Sequence, residues 1–566
     1  MRTFHLLAGL LTPIALPATL VAQGMAANPL KHDPQPTTPA VTAADLMTRL
    51  YIFADDSMMG REAGTLGNAK GVEYIARELA RIGLTPGGDS GTFFQTIPLT
   101  LTGLAEGSRL RVDGVDYNTQ EDLVFFPPVG ALNDMGGVFA AESLPVVYGG
   151  KIGDATLVSP DAVAGRLVLF APSSLPNAWQ FWSPNQLSHE TRLRYARAAG
   201  ILVASRDATP PFVLNALTQP SFDLRDTEEN PRLPYLIVSS ALAERLMGAP
   251  LAGLFAGTEG KRIAVVGGYV GQATEAPARN VVAIVEGSDP ALRGQYVAFG
   301  AHNDHDGVNA PIDHDSLRTR NEVLRPGGAE GQSLPLTPER EAAIQRALDS
   351  LRALRPARLD SVMNGADDDG SGSMALLELA EYLIANRPRR SLLFVWHVAE
   401  EKGLFGARYF ADRPTVPRDS IVTQLNIDMI GRGKADDLSG GGPGYMQLIG
   451  SRRLSTQLGD LIERVNREGS HGFTFDYQYD ANGHPQQYYC RSDHYEYAKY
   501  GIPVAFFSTG GHRDYHMPTD EPQYIDYAKF ARVTSFIGAV GAAVANLDAR
   551  PTVDKPKPDP RGQCVQ

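Results

Sequence analysis

The chain has 566 residues, with 52 Lys and Arg against 64 Asp and Glu, a formal net charge of -12, and 43% apolar residues. Single cores stop growing at roughly 250–300 residues, so more than one compact unit is expected. An acidic total without a Lys/Arg run disfavours nucleic-acid binding. The two cysteines, Cys490 and Cys564, give no sign of a disulfide framework.

Residues 1–22 carry Arg2, an apolar stretch over 6–21 interrupted by Pro13 and Pro17, and then small residues. The run is shorter than the roughly 20 residues of a spanning helix, so the segment predicts a secretory signal and an exported (periplasmic or extracellular) chain with no membrane contact after cleavage. Between 43 and 84, Leu46, Leu50, Ile52, Val72, Ile75, Leu79 and Ile82 recur at helical spacing, broken by Gly60 and Gly64. Residues 111–261 change texture, with strand-like runs at 144–148, 166–170, 200–204 and 233–238 among Pro and Gly loops. This predicts a β-rich insertion that splits a catalytic unit into 40–110 and 262–548, because 280–285 and 295–300 resume a strand pattern leading into His302. Further strands are expected at 296–300, 392–398, 424–427 and 502–507, and a helix at 374–384. The alternation predicts an α/β fold, a mostly parallel or mixed sheet covered by helices on both faces. Residues 309–363 are charged and rich in Pro and Arg, with a predicted helix over 338–354, and read as a lid or rim. The Pro and charge content of 550–566 predicts an unstructured tail.

Five motifs, most of them at the end of an apolar run, carry metal-type ligands: His302, Asp368, the pair Glu400 and Glu401, Asp428 and His516. In open α/β sheets the crevice outside the strands' carboxyl ends gathers residues distant in sequence. Asp304, two residues after His302, is placed to accept the second imidazole N–H. Asp367, Asp368 and Asp369 repel one another unless a cation or a helix N-terminus sits among them. One member of the Glu pair can bind metal while its neighbour moves a proton. Asp428 lies inside an apolar run, where a buried acid must be paired or coordinated. Singly, these read as a surface turn, a helix cap, a calcium loop or a solvated pair. Together, two imidazoles and a set of carboxylates suit two divalent cations such as zinc, and the chain reads as a metallohydrolase.

The stretches around His302-Asn303-Asp304-His305, Asp367-Asp368-Asp369-Gly370, Glu400-Glu401, Asn426-Ile427-Asp428 and Tyr515-His516, with 58–65 and 278–282, closely resemble the co-catalytic zinc exopeptidase family. That family includes secreted leucyl-type aminopeptidases, glutamate carboxypeptidase II and glutaminyl cyclases. The resemblance implies that Asp368 bridges two metals, that His302 and Asp428 complete one site, and that Glu401 and His516 complete the other. It implies Glu400 as general base and acid, and Tyr489 as oxyanion stabiliser, with Tyr488, Tyr495 and His494 as rivals for that role. The runs 146–150, 163–170, 196–205 and 233–238 resemble a protease-associated domain. The expected activity is removal of N-terminal residues from peptides or proteins. Alternatives on the same fold are a carboxypeptidase, with Arg432, Arg491 or Arg513 holding a free carboxylate, a one-metal glutaminyl cyclase, and a non-catalytic peptide-binding module.

Overall fold

Apolar residues alternate along the central strands so that each strand feeds two cores, and this alternation places the layers of the molecule. In the computed structural model, Val281, Ala283, Val297, Phe299, Ala301, Leu392, Phe394 and Trp396 point to one face. Val282, Ala298, Leu393 and Val395 point to the other. The first face is covered by helices Ala43–Phe53, Leu66–Ile82, Gly370–Ala385, Thr456–Glu468 and Tyr527–Ala545, and the second by Phe405–Asp412 and His494–Ala498. The structure describes residues 28–118, 121–126, 137–153, 156–172, 194–224, 233–560 and 564–566. The signal over 1–22 lies outside the described residues.

The nine-stranded sheet is mixed. Its order is Thr85–Pro86, Arg279–Val285, Ser391–His397, Tyr296–His302, Ile421–Ile427, Val504–Ser508, Tyr445–Ile449 and Thr474–Asp476, with Phe94–Thr96 also pairing to Arg279–Val285. The four central strands, from Ser391–His397 to Val504–Ser508, run parallel. Helix Tyr527–Ala545 is long and apolar enough to cross a membrane, yet here it packs against Ala43–Phe53 and Gly370–Ala385 in the core.

A second, eight-stranded sheet forms the inserted β-rich region. The boundaries expected at 111 and 261 need correction. Strand Glu259–Gly267 pairs with both Arg109–Val112 and Phe139–Lys151, so 261 falls inside a strand. A three-stranded sheet of Leu99–Leu104, Ser221–Leu224 and Tyr269–Ala273 extends the insertion to about 99–273. The Gly267–Gly268 pair, with φ of 125° and 131°, turns the chain from this strand into Tyr269–Ala273, so the insertion runs past it.

Residues 309–363 hold the expected helix Pro338–Leu354, a further helix His314–Leu324, and an antiparallel pair Val308–Asp313 and Leu359–Val362. Two expectations about the tail also fail. Cys490 and Cys564 form a disulfide with Cα atoms 5.7 Å apart. The described residues of the tail lie against the body: Thr456 N–H donates to Asp554 at 3.0 Å, and Gln566 is buried, accepting from Tyr489 N–H at 2.9 Å. Its fixed polar contacts, rather than its composition, decide its order.

Candidate metal centre

Each expected ligand sits where a strand or helix terminates, and the terminations face one cleft. His302 closes its strand, and Asp428 follows Ile421–Ile427 directly. Glu400 and Glu401 lie just past Ser391–His397, after Ala399 turns the chain at φ 58°. Asp368 immediately precedes Asp369, the N-cap of Gly370–Ala385, and His516 lies in the loop beyond Val504–Ser508 at φ 54°.

The two carboxylate oxygens of Asp368 divide the cluster. His302 Nε2 lies 3.1 Å from Oδ1 and 3.8 Å from Asp428 Oδ1. His516 Nε2 lies 3.1 Å from Oδ2 and 3.2 Å from Glu401 Oε2. Two nitrogen–oxygen donor sets therefore share one carboxylate, a donor chemistry that fits borderline divalent cations. Electrostatics agree. Burial alone would raise the Asp368 carboxyl, but the imidazoles of His302 and His516 outweigh it and hold the group well below the usual range. Burial pushes Glu400 well above the carboxylate range, with Glu401 and Asp428 adding to the shift.

Neighbouring groups fix the donors. Asp369 accepts from His302 N–H at 3.0 Å, Gly372 N–H at 2.8 Å and Met429 N–H at 3.3 Å, tying three ligand segments to one side chain. Asp520 accepts from the N–H groups of Asp367 and Asp368. Ser492 Oγ donates to Asp428 at 2.8 Å and accepts from Asn426. Asp304 does support His302, but through its carbonyl at 3.1 Å; its carboxylate is 3.8 Å from Nδ1 and instead accepts from Glu400 N–H. Burial pushes that carboxyl up to about 7. A chain turn at Asp304 that brings its carbonyl back to the ring has no signature in spacing.

Three groups went unassigned from sequence. His305 Nδ1 lies 2.7 Å from Glu401 Oε1, and Asp306 Oδ2 lies 3.1 Å from His516 Nδ1. Their place in the His302–Asp306 run was the signal available. Arg61, from the 58–65 stretch, is fully buried and donates to the carbonyls of Phe53, Asn364 and Gly365 at 3.0, 2.6 and 2.9 Å. It thereby sets the loop leading into Asp367 and Asp368.

Tyr489 requires correction. Its ring is buried beneath Arg453, 4.3 Å from that guanidinium, and packs against His494 and Tyr495. The cleft is lined instead by Tyr488 and Tyr515 with Asp368, Glu400, Glu401 and Asp428. Adjacent residues of the short 3-10 turn Tyr488–Cys490 project to opposite sides, so a shift of one position exchanges core for cleft. His494 and Tyr495 share the buried cluster with Tyr489. Among the arginines expected to hold a free carboxylate, Arg432 is buried against Asp437 and Asp514, Arg513 is buried, and Arg491 lines the cleft.

The chain is similar to several known proteins. A stretch of 159 residues is 32% identical to leupeptin-inactivating enzyme 1 of Streptomyces exfoliatus, covering 27% of this chain and 32% of that protein. The chain thus spans about a third of the length of that relative. An aminopeptidase structure from Aneurinibacillus sp. strain AM-1 aligns over 93% of this chain and 96% of its own, at 15% identity and TM-score 0.44. BSAP, a zinc aminopeptidase from Bacillus subtilis, aligns over 89% and 95%, at 16% identity and TM-score 0.42. Residues 280–540 match Peptidase family M28, and this stretch holds all five expected ligands and Glu400.

Proposed function

We propose that this chain is an exported, zinc-dependent aminopeptidase that removes N-terminal residues from peptides, using two metal ions and Glu400 as general base. The division of the Asp368 oxygens between His302 with Asp428 and His516 with Glu401 carries this reading. His302, Asp368 and Asp428 would hold one cation, and Asp368, Glu401 and His516 the other. Bound there, the cations supply Lewis-acid polarisation of a carbonyl and acidify water. Glu400, buried beside them with its carboxyl pushed upward, is matched to take a proton from the attacking water and return it to the departing amine. Tyr515, in the cleft wall, replaces Tyr489 as the phenol positioned to donate to developing negative charge.

Export rests on the expected signal and is supported by the Cys490–Cys564 bond, because disulfides persist in oxidising compartments. The β-rich insertion takes the part of a protease-associated domain that shapes access to the cleft. The test is mass spectrometry of a mixed peptide library after incubation with the mature chain and zinc, beside Glu400→Gln. Stepwise N-terminal shortening, absent with the variant, is expected. Shortening from the C-terminal end would replace aminopeptidase by carboxypeptidase, with Arg491 as the cation in reach. Cyclised N-terminal glutamine would replace it by cyclase.

A further inference from the structure

Within the segment 309–363, the Glu330 carboxylate reaches the wall of the cleft. Glu330 Oε1 accepts from Tyr488 Oη at 2.9 Å, from Gly511 N–H at 3.0 Å and from Gln447 Nε2 at 2.9 Å. Tyr488 and Gly511 both line the cleft. The approach is close: Ala329 N–H donates to Gly511 O at 2.7 Å, and a Cβ on Gly328 would come within 2.3 Å of that carbonyl, at φ +73°. The same segment grips the loop carrying His516 elsewhere. Arg318 pairs with Asp514 at 2.6 Å, and Arg325 donates to Arg513 O at 3.2 Å. A segment tied at so many points to the cleft wall is a fixed rim. From the other side, Cys564 is bonded to Cys490, two residues beyond Tyr488, and Gln566 accepts from Tyr489 N–H.

The Tyr488 ring packs edge-on against Tyr479 beside Arg491, and its rotamer is fixed fully only where the hydroxyl is held as well. Glu330 supplies that hold, through a charge-assisted hydrogen bond of the stronger class. We infer that Glu330 is a positioning residue that fixes Tyr488 as the wall of the substrate cleft, and that the Glu330–Tyr488 pair sets which N-terminal side chains the enzyme accepts. This rests on the aminopeptidase reading and deepens it. A fixed aromatic wall contributes contact to a large apolar side chain and little to a methyl group. Differences of a few methylenes against such a wall are worth at least about tenfold in kcat/KM.

The experiment measures kcat and KM of zinc-loaded enzyme on alanyl and phenylalanyl p-nitroanilides for the wild type, Glu330→Ala, Glu330→Gln, Tyr488→Phe and the Glu330→Ala/Tyr488→Phe double variant. Melting curves establish that each is folded. The expected result is a fall of about tenfold in the phenylalanyl-to-alanyl kcat/KM ratio, carried by KM, in Glu330→Ala and Tyr488→Phe. The double variant falls no further, because both changes cut the same bond. Glu330→Gln, which keeps an acceptor oxygen, recovers most of the ratio. An unchanged ratio in folded Glu330→Ala and Tyr488→Phe overturns the inference alone, as does an additive double variant. Absence of turnover by the wild type on both substrates overturns the aminopeptidase reading and this inference with it.

Discussion

Replacing Arg61 by Met tests whether the metal-type cluster depends on a distant buried cation. The guanidinium is fully buried, 4.4 Å from the Phe53 ring, and serves three carbonyls, two of them from Asn364 and Gly365 at the entry to the Asp367–Asp369 run. Burial lowers its pKa to about 10, so it is charged at neutral pH. Met keeps the apolar packing and removes every donor. Hydrogen bonds from a charged donor contribute about 1.5–3 kcal/mol each, and releasing the buried guanidinium returns several kcal/mol, leaving a net loss of about 3–5 kcal/mol. With an unfolding entropy of about 2.1 cal/mol/K per residue over a unit of roughly 350 residues, this lowers the melting temperature by about 4–7 °C. Scanning calorimetry of the metal-stripped protein reads the shift directly, and zinc titration of the same sample should show weakened binding. A shift below about 1 °C with unaltered zinc affinity would refute the claim that Arg61 sets the Asn364–Gly365 loop.

Three further outcomes follow from the site and its surroundings. Glu400→Gln should retain zinc by elemental analysis and lose turnover by at least about a hundredfold, whereas Asp368→Ala should lose both; near-normal activity in either removes the assigned roles. His494 is buried among Tyr489 and Phe506, and desolvation lowers its pKa from 6.5 to about 3. The unfolded chain therefore binds the extra proton first, and stability present above pH 6.5 is lost as pH falls toward 3, by at most about 4–5 kcal/mol. His494→Phe should flatten the melting temperature between pH 6.5 and 4.5; an identical slope would assign the acid loss elsewhere. Cys564→Ser opens a loop of 74 residues, worth about 4 kcal/mol in a chain-entropy account, and limited proteolysis should then release 550–566 before the body is cut; equal resistance would show the polar contacts suffice.

The central strands and the ligand set were legible because one physical pattern carries both. A short apolar run covered on two faces ends at the carboxyl side of the sheet, and the polar residues at or just past that end enter the crevice, as His302, Glu400 and Asp428 do. Helix Pro338–Leu354 was legible from Pro338 at its first turn and Thr337 at its cap. Helix His314–Leu324 was not, because its buried positions include His314, Asp315 and Arg318, which pair with Glu521, Arg352 and Asp514 from other segments rather than face an apolar core. The exchange of Tyr489 for Tyr488 has the same origin in miniature: local sequence gives the turn, while the partner of each ring, Arg453 for one and Glu330 for the other, comes from far away in the chain. Pairing of Cys490 with Cys564 likewise depends on where the tail lies, which composition does not encode.

The order of synthesis gives that pairing a temporal meaning. Cys564 lies beyond the last helix, Tyr527–Ala545. Domains fold as they emerge, at about 5–20 residues per second, with amino-terminal parts first. The sheet and its ligands can assemble while the turn bearing Tyr488 still has a loose end. Only when residue 564 has left the ribosome can its sulfur reach Cys490. The bond that braces the turn bearing Tyr488 is thus closed only after every residue of the ligand cluster has been synthesised.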